Sequence, residues 1–145
     1  MSNYKNVLVA IDINAHHESI IRKGLAICQS PDNISLMYTI LPTAYIEPYL
    51  LGAVYSNTDD TERMSLTHEK LNEIATNFGI DEQNIFVKNG VPADEIKEMA
   101  NEKNIDLIVI GTHGRSGIKL LLGSTANAVL HGVKQDVLAV RVYGS

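Results

Sequence analysis

Two short runs of uninterrupted apolar residues constrain the fold of this 145-residue chain most strongly. Val7 to Ile11 and Leu107 to Ile110 contain only apolar residues, which is typical of strands that are buried on both faces of a parallel sheet. Segments with apolar residues at helical spacing separate these runs from the other strand-like runs. The alternation predicts a doubly wound α/β fold, in which crossover helices cover both faces of a five-stranded parallel sheet.

Turn residues between the periodic segments set the predicted element boundaries. The predicted strands are Lys5 to Asp12, Ile34 to Ile40, Ile85 to Lys88, Asp106 to Ile110 and Val137 to Val142. The predicted helices are Asn14 to about Ser30, Asp59 to Phe78, Pro92 to Asn104 and Ser124 to His131. Asn14 and Ser124 are the predicted N-caps, and Gly79 and Gly132 the predicted C-terminal caps. The longest predicted loop covers residues 41–57.

The strand order decides where a ligand binds. Right-handed crossovers leave 3-2-1-4-5 as the simplest order, which places the first and fourth strands side by side. Ligands of open parallel sheets bind beyond the carboxyl ends of the strands, at the point where the winding direction reverses. That point is predicted to fall between Asp12 and Gly111.

Composition restricts the class of protein further. The net charge of −5 opposes nucleic-acid binding, which needs a basic surface. No run reaches the roughly 20 apolar residues that span a bilayer, and Cys28 is the single cysteine, so no internal disulfide forms. We therefore expect one cytoplasmic domain over residues 1–145 that binds no membrane and no nucleic acid.

The richest cluster of glycines follows the fourth predicted strand. Gly111, Gly114 and Gly117 lie in one short segment, and Gly123 precedes the last predicted helix. Because glycine has no side chain, its backbone can turn sharply and approach a ligand closely. The backbone amides at a helix N-terminus attract anions. The segment therefore predicts a phosphate cradle, with an incidental glycine loop as the alternative. It matches neither a P-loop nor a dinucleotide-binding fingerprint.

At these residues the chain resembles the universal stress protein family. Gly111-x-x-Gly114 followed by Gly123-Ser124 is similar to the Gly-x2-Gly-x9-Gly-Ser/Thr signature of its nucleotide-binding members. Three flanking segments are also similar, so that the resemblance covers the whole chain; they are Val9-Ala10-Ile11-Asp12, Gly90-Val91-Pro92 and Asp136-Val137-Leu138-Ala139-Val140.

The chain departs from the signature at one point. Eight residues separate Gly114 from Gly123, whereas the ATP-binding signature has nine. In that spacing the chain is similar to the branch typified by universal stress protein A, whose members are not thought to bind ATP. The resemblance therefore implies two functions: an ATP-binding stress-response or signalling protein, and a dimeric stress adaptor that binds no nucleotide.

The resemblance also implies a set of binding residues. Asp12 and Thr39 are expected to meet the adenosine. The phosphates are expected to lie among residues of the glycine segment and the following helix, namely Ile110, Gly111, His113, Gly114, Arg115, Gly123, Ser124 and Thr125. The implied cofactor is ATP, or the related AMP or ADP, with magnesium entering only with the nucleotide. For Asp12 a helix-capping role is the alternative, and for His113, Arg115 and Lys119 it is simple exposure to solvent.

The remaining expectations concern partners and catalysis. The last strand, Val137 to Val142, is predicted to be an edge strand, and the resemblance implies a homodimer through it. The histidines and Cys28 show no metal-ligand spacing, so no metal site is expected. Hydrolysis of ATP is the least favoured function, because Asp12, His113 and Arg115 are few groups for a metal ligand, a base and a charge clamp.

Overall fold

The computed structural model describes residues 4–40, 60–112 and 123–142 of the chain. Its five strands form one parallel sheet in the order β3-β2-β1-β4-β5, as the sequence predicted. The strands are β1 (Val7–Ala10), β2 (Ile34–Ile40), β3 (Ile85–Asn89), β4 (Leu107–Gly111) and β5 (Asp136–Val140). The α-helices are α1 (Glu18–Ile27), α2 (Asp60–Asn77), α3 (Pro92–Glu102) and α4 (Ser124–Gly132).

Strand β1 lies at the centre of the sheet. It pairs with β2 on one side and with β4 on the other, and Ala10 is in register with both Met37 and Ile110. The fully apolar sequence of β1 and β4 fits this position, because each strand is covered by helices on both faces. The carboxyl ends of β1, β2 and β4 consequently lie at the same edge of the sheet.

The side chains of alternate strand residues pack into two separate apolar cores, one on each face of the sheet. Val7 and Val9 point to the first face of the sheet, which α1 and α2 cover, and Leu8 points to the second face, which α3 and α4 cover. Leu71 of α2 and Met99 of α3 are almost completely buried, one in each core. Helices thus cover both faces, as expected for a doubly wound fold.

The first helix begins later than the sequence suggested. Asn14 was predicted as its N-cap, but α1 starts at Glu18 and His17 occupies the cap position without a side-chain cap bond. The reason lies in Asp12, whose carboxylate accepts a hydrogen bond from the Asn14 amide at 2.8 Å and whose carbonyl accepts one from Ala15 at 3.1 Å. These bonds form a turn and keep residues 12–15 out of the helix.

The predicted caps of α4 are each displaced by one residue. Gly123 rather than Ser124 is the N-cap, and Gly132 is the last helical residue rather than the cap, which is Val133. The two left-handed positions among the described residues occur where two other helices end. Gly79, with φ of 73°, follows α2 as predicted, and Asn104, with φ of 54°, follows α3.

Helix α2, with 18 residues, is the longest α-helix in the described part of the chain. None of the helices within residues 4–40, 60–112 and 123–142 has both the length and the apolar character needed to cross a bilayer.

Gly24 allows α1 to approach β1 closely. A Cβ atom at this position would lie 2.5 Å from Cγ2 of Val9 and 3.3 Å from Cδ1 of Ile34. Val9 is completely buried and its β-branched side chain is stiff, so it has little room to move. The size of this glycine therefore sets the spacing between helix and sheet.

We predict that Gly24→Ala destabilises the protein. Overpacking of a core costs about 1–3 kcal/mol, which exceeds the gain of up to about 1 kcal/mol from the better helix propensity of alanine. Urea unfolding measures the change. The matched control is Gly132→Ala, also helical, where an added Cβ has no neighbour within 4 Å and the stability should be unchanged or higher. Equal stability of the two variants would contradict the close-approach role of Gly24.

Candidate functional site

A cavity of about 820 Å³ opens at the carboxyl edge of the sheet. It lies where β1, β2 and β4 end, and its walls include the first half of α2 and the N-terminal ends of α3 and α4. This is the switch point at which the sequence placed the ligand, because β1 is followed by a helix on one face and β4 by a helix on the other. The volume is within the range of small-molecule sites in proteins.

All seven of the predicted binding residues that the structure describes line this cavity. Those lining it are Asp12, Thr39, Ile110, Gly111, Gly123, Ser124 and Thr125. The predicted residues His113, Gly114 and Arg115, together with Lys119, lie outside the described residues. The topology therefore unites residues that are more than 110 positions apart in the chain.

Asp12 lies immediately beyond β1 and is partly exposed. The Asn14 amide donates to its Oδ1 at 2.8 Å, which fixes the orientation of the carboxylate. It does not cap α1, since α1 begins six residues later with no side-chain cap bond. A carboxylate held in this way is a suitable acceptor for hydroxyl groups of a ligand.

Thr112 joins the end of β4 to two other elements. Its amide donates to the Val140 carbonyl at 2.9 Å, and its carbonyl accepts a hydrogen bond from the Gly123 amide at 2.6 Å. Its Oγ1 accepts a hydrogen bond from the Val142 amide at 3.2 Å. One residue thus ties the N-terminus of α4 to β4 and continues the pairing of β4 with the end of β5.

The N-terminus of α4 provides amide donors at the cavity. The first intrahelical bond runs from the Asn127 amide to the Gly123 carbonyl at 2.9 Å, so the amides of Ser124 and Thr125 have no acceptor within the helix. The N-cap is a glycine and makes no side-chain cap bond. These amides and the positive end of the helix dipole favour an anion here.

The hydrogen bonds of Gly123 limit what its backbone can offer a ligand. Gly123 was predicted to lie around the phosphates, and its amide donates to the Thr112 carbonyl. Gly123 lines the cavity, yet the amides beyond it, those of Ser124 and Thr125, are the ones that this conformation leaves for a ligand. The second half of the predicted cradle is therefore the helix terminus itself.

One wall of the cavity was not recognised in the sequence. Arg63, Leu66, Thr67 and Lys70 of α2 all line it, at the i, i+3, i+4 and i+7 spacing of a single helix face. Leu66 is 53% exposed, so its side chain offers an apolar surface on this wall. The spacing was visible in the sequence, but a polar stripe facing a cavity has the same composition as one facing solvent.

A turn between β3 and α3 closes the cavity near the end of β2. The Gly90 amide donates to the Ile40 carbonyl at 2.9 Å, and Pro92, the first residue of α3, lines the cavity. A Cβ atom on Gly90 would lie 2.6 Å from Oε2 of Glu95. Burial raises the pKa of the Glu95 carboxyl group, the neighbouring Glu98 raises it further, and Lys88 opposes the shift.

The described part of the chain contains no group of three or more His, Cys, Asp or Glu side chains that is arranged to hold a metal ion. Cys28 is a buried free thiol, with Sγ 3.1 Å from the Ser30 carbonyl oxygen, and it lies away from the cavity lining. The groups available at the site are hydrogen-bond donors, one carboxylate and cations, which suit the binding of a polar anionic ligand.

Comparison with protein families places the chain among known proteins. The model of the universal stress protein family matches residues 3–141, nearly the entire chain. The chain belongs to the universal stress protein family. The resemblance noted in the glycine segment therefore extends to the whole sequence, and the strand order agrees with that membership.

Individual universal stress proteins are similar over their full length. Universal stress protein A homolog 2 of Coxiella burnetii is 41% identical, with all of both chains covered. The structure of universal stress protein UspA from Lactobacillus plantarum matches with a TM-score of 0.69 at 22% identity, covering 97% of this chain and all of that one. A universal stress protein in complex with cAMP matches with a TM-score of 0.53 at 27% identity, covering 96% of this chain and 98% of that one.

We predict that Thr112→Val loosens the connection between β4 and the end of the chain. The substitution keeps the shape of the side chain but removes the acceptor of the Val142 amide, which costs about 1 kcal/mol. Urea unfolding reports the loss, and faster hydrogen exchange of the Val142 amide localises it. Thr112→Ser retains the hydroxyl and is the control; exchange at Val142 that is equally fast in both variants would disprove the role of Oγ1.

Proposed function

We propose that this universal stress protein binds an adenine nucleotide in the cavity at the switch point, and that occupancy changes its interactions with partners in a stress response. The nucleotide is ATP or a related AMP or ADP. The observation that carries the proposal is the convergence of the Ser124 and Thr125 amides with Asp12 around one cavity. Donors for phosphate and an acceptor for ribose hydroxyls thus face the same space.

The arrangement gives the nucleotide a direction. The phosphates lie at the N-terminus of α4, the ribose at Asp12 and the base toward Thr39 at the end of β2. This order follows the sheet, because Asp12 follows β1, the strand between β2 and β4. An anion beside the Asp12 carboxylate would be repelled, so the neutral ribose fits best at that point.

A solved relative supports the class of ligand. The universal stress protein in complex with cAMP shares 27% of its sequence with this chain and aligns over 96% of it. Its ligand combines an adenine base, a ribose and a phosphate, the same three parts that the proposal assigns to the cavity. The choice of ATP over other adenine nucleotides is part of the proposal.

We further propose that the protein acts as a cytoplasmic homodimer formed through β5. This strand is at the edge of the sheet, where backbone groups without a partner strand pair readily with a second chain. Thr112 connects the ligand cavity to the end of β5. Through Thr112, a nucleotide bound at the N-terminus of α4 is therefore connected to β5, the strand of the proposed dimer interface.

One observation favours a second function, that of a dimeric adaptor without a nucleotide. The amide of Gly123, a residue predicted to lie around the phosphates, donates to the Thr112 carbonyl at 2.6 Å and is not available to a phosphate. The eight-residue spacing between Gly114 and Gly123 fits the same alternative. Under this function β5 and the surface carry the activity, and purified protein contains no adenine nucleotide.

We predict that Ser124→Pro weakens ATP binding about tenfold, because a hydrogen bond to a charged group contributes about 1.5–3 kcal/mol. Ser124 is the first residue of α4, where proline removes an amide that has no helical acceptor and leaves the helix intact. Gly123, with ψ of 155°, has the extended backbone that a following proline requires. Isothermal titration calorimetry on nucleotide-stripped protein measures the affinity.

The matched control for this experiment is Ser124→Ala, which removes the hydroxyl group and keeps the amide. We expect its ATP affinity to stay close to that of the unmodified protein. Equal affinities of the proline and alanine variants would exclude the amide as a phosphate donor. No binding of any adenine nucleotide at millimolar concentration would refute the nucleotide function and favour the adaptor.

We predict that the protein elutes from a sizing column as a dimer, with twice the mass of the chain by light scattering. The physical reason is the exposed edge of β5, which gains a partner strand on association. The measurement is made at two protein concentrations tenfold apart. A monomer at both concentrations would contradict dimerisation through this edge.

A further inference from the structure

The described residues that line the cavity include two cations, Arg63 and Lys70, and both are on α2. They are seven residues apart, which separates them by about 10.5 Å along the helix and keeps them on the same face. The chain has a net charge of −5. A pair of cations on the wall of its cavity, in an acidic protein, favours an anionic ligand group at that wall.

This wall and the N-terminus of α4 are on opposite faces of the sheet. Helix α2 packs against the first face through Leu71 and Ala75, whereas α4 packs against the second face through Ala126 and Val129. The ends of the central strands lie between them. A phosphate group bound at the N-terminus of α4 therefore approaches the cavity from the face of the sheet opposite to Arg63 and Lys70.

Asp12 separates the two anion-attracting walls. Its carboxylate lies beyond the end of β1 and lines the same cavity, so it disfavours negative charge in the middle. A ligand that satisfies all three features carries anionic groups at two separate places and hydroxyl groups between them. Leu66, 53% exposed between the two cations, adds an apolar surface on the α2 side.

We propose that Arg63 and Lys70 form a second anion-binding wall, and that the ligand is an adenine nucleotide with a second phosphate group. This inference rests on the proposed nucleotide function. The second phosphate is attached to a ribose hydroxyl group, because a polyphosphate chain that reached from α4 to α2 would carry its charge past the Asp12 carboxylate. The guanidinium of Arg63 and the ammonium of Lys70 donate charge-assisted hydrogen bonds to it.

The test compares three ligands by calorimetry on nucleotide-stripped full-length protein. AMP carries one phosphate, ATP extends it into a chain, and adenosine 3′,5′-bisphosphate adds a phosphate on the ribose. We expect adenosine 3′,5′-bisphosphate to bind about tenfold more tightly than AMP, which corresponds to about 1.4 kcal/mol. A gain shown by ATP and not by the bisphosphate would contradict a phosphate on the ribose.

The variants are Arg63→Gln and Lys70→Gln, with Lys97→Gln as the control. Lys97 is an exposed lysine of α3 that does not line the cavity, and its loss changes the net charge by the same amount. We expect both α2 variants to reduce the gain at least threefold while AMP affinity changes less than twofold, and the control to retain the gain. The gain should also shrink as salt rises, since Lys70 is exposed to solvent.

Three results would overturn the second wall while the nucleotide function stands. In the first, AMP binds and the bisphosphate binds no more tightly. In the second, the gain is intact in both α2 variants. In the third, the variants weaken the binding of AMP as much as that of the bisphosphate. If the unmodified protein binds none of the three ligands, the proposed function fails together with this inference.

Discussion

The parallel pairing of β1 with β4 is the interaction on which the site depends. The two strands are in register from Val7 with Leu107 to Ala10 with Ile110, and both are buried between two layers of helices. This pairing brings Asp12 and Gly111 to the same edge, although about 100 residues separate them in the chain. Because the side chains of these strands are apolar and pack into the two cores, the first polar groups available for a ligand are those that follow the strands.

Thr112 extends this central pairing to the periphery. Its amide, carbonyl and hydroxyl groups connect β4 with β5 and with the start of α4. The hydrogen bond from Gly123 positions the helix terminus beside the cavity and at the same time uses one amide that a phosphate would otherwise engage. Gly123 therefore positions the helix through its hydrogen bond to Thr112. Its neighbours Ser124 and Thr125 keep amides that can donate to a ligand.

Much of the fold and part of the site were predictable from the sequence. The apolar runs of β1 and β4 identified central strands, and the crossover rule then gave the observed strand order. Asp12 was predicted at the site because it follows the first strand at the switch point. The start of α4 was predicted there because Ser124 was a candidate N-cap after the glycine segment. The start of α1 was predicted incorrectly, since the hydrogen bonds of Asp12 with Asn14 and Ala15 compete with helix formation and depend on the local turn.

The layering, the strand order and the edge of the sheet that carries the cavity follow from the amino-acid sequence alone, because apolar periodicity and chain connectivity are local properties of the chain. Which polar groups face the cavity depends instead on tertiary packing. Arg63 and Lys70 are on a polar helix face whose surroundings depend on how α2 packs against the sheet. The Gly123 amide is likewise committed by a carbonyl from another strand, a contact between segments that composition and spacing do not encode.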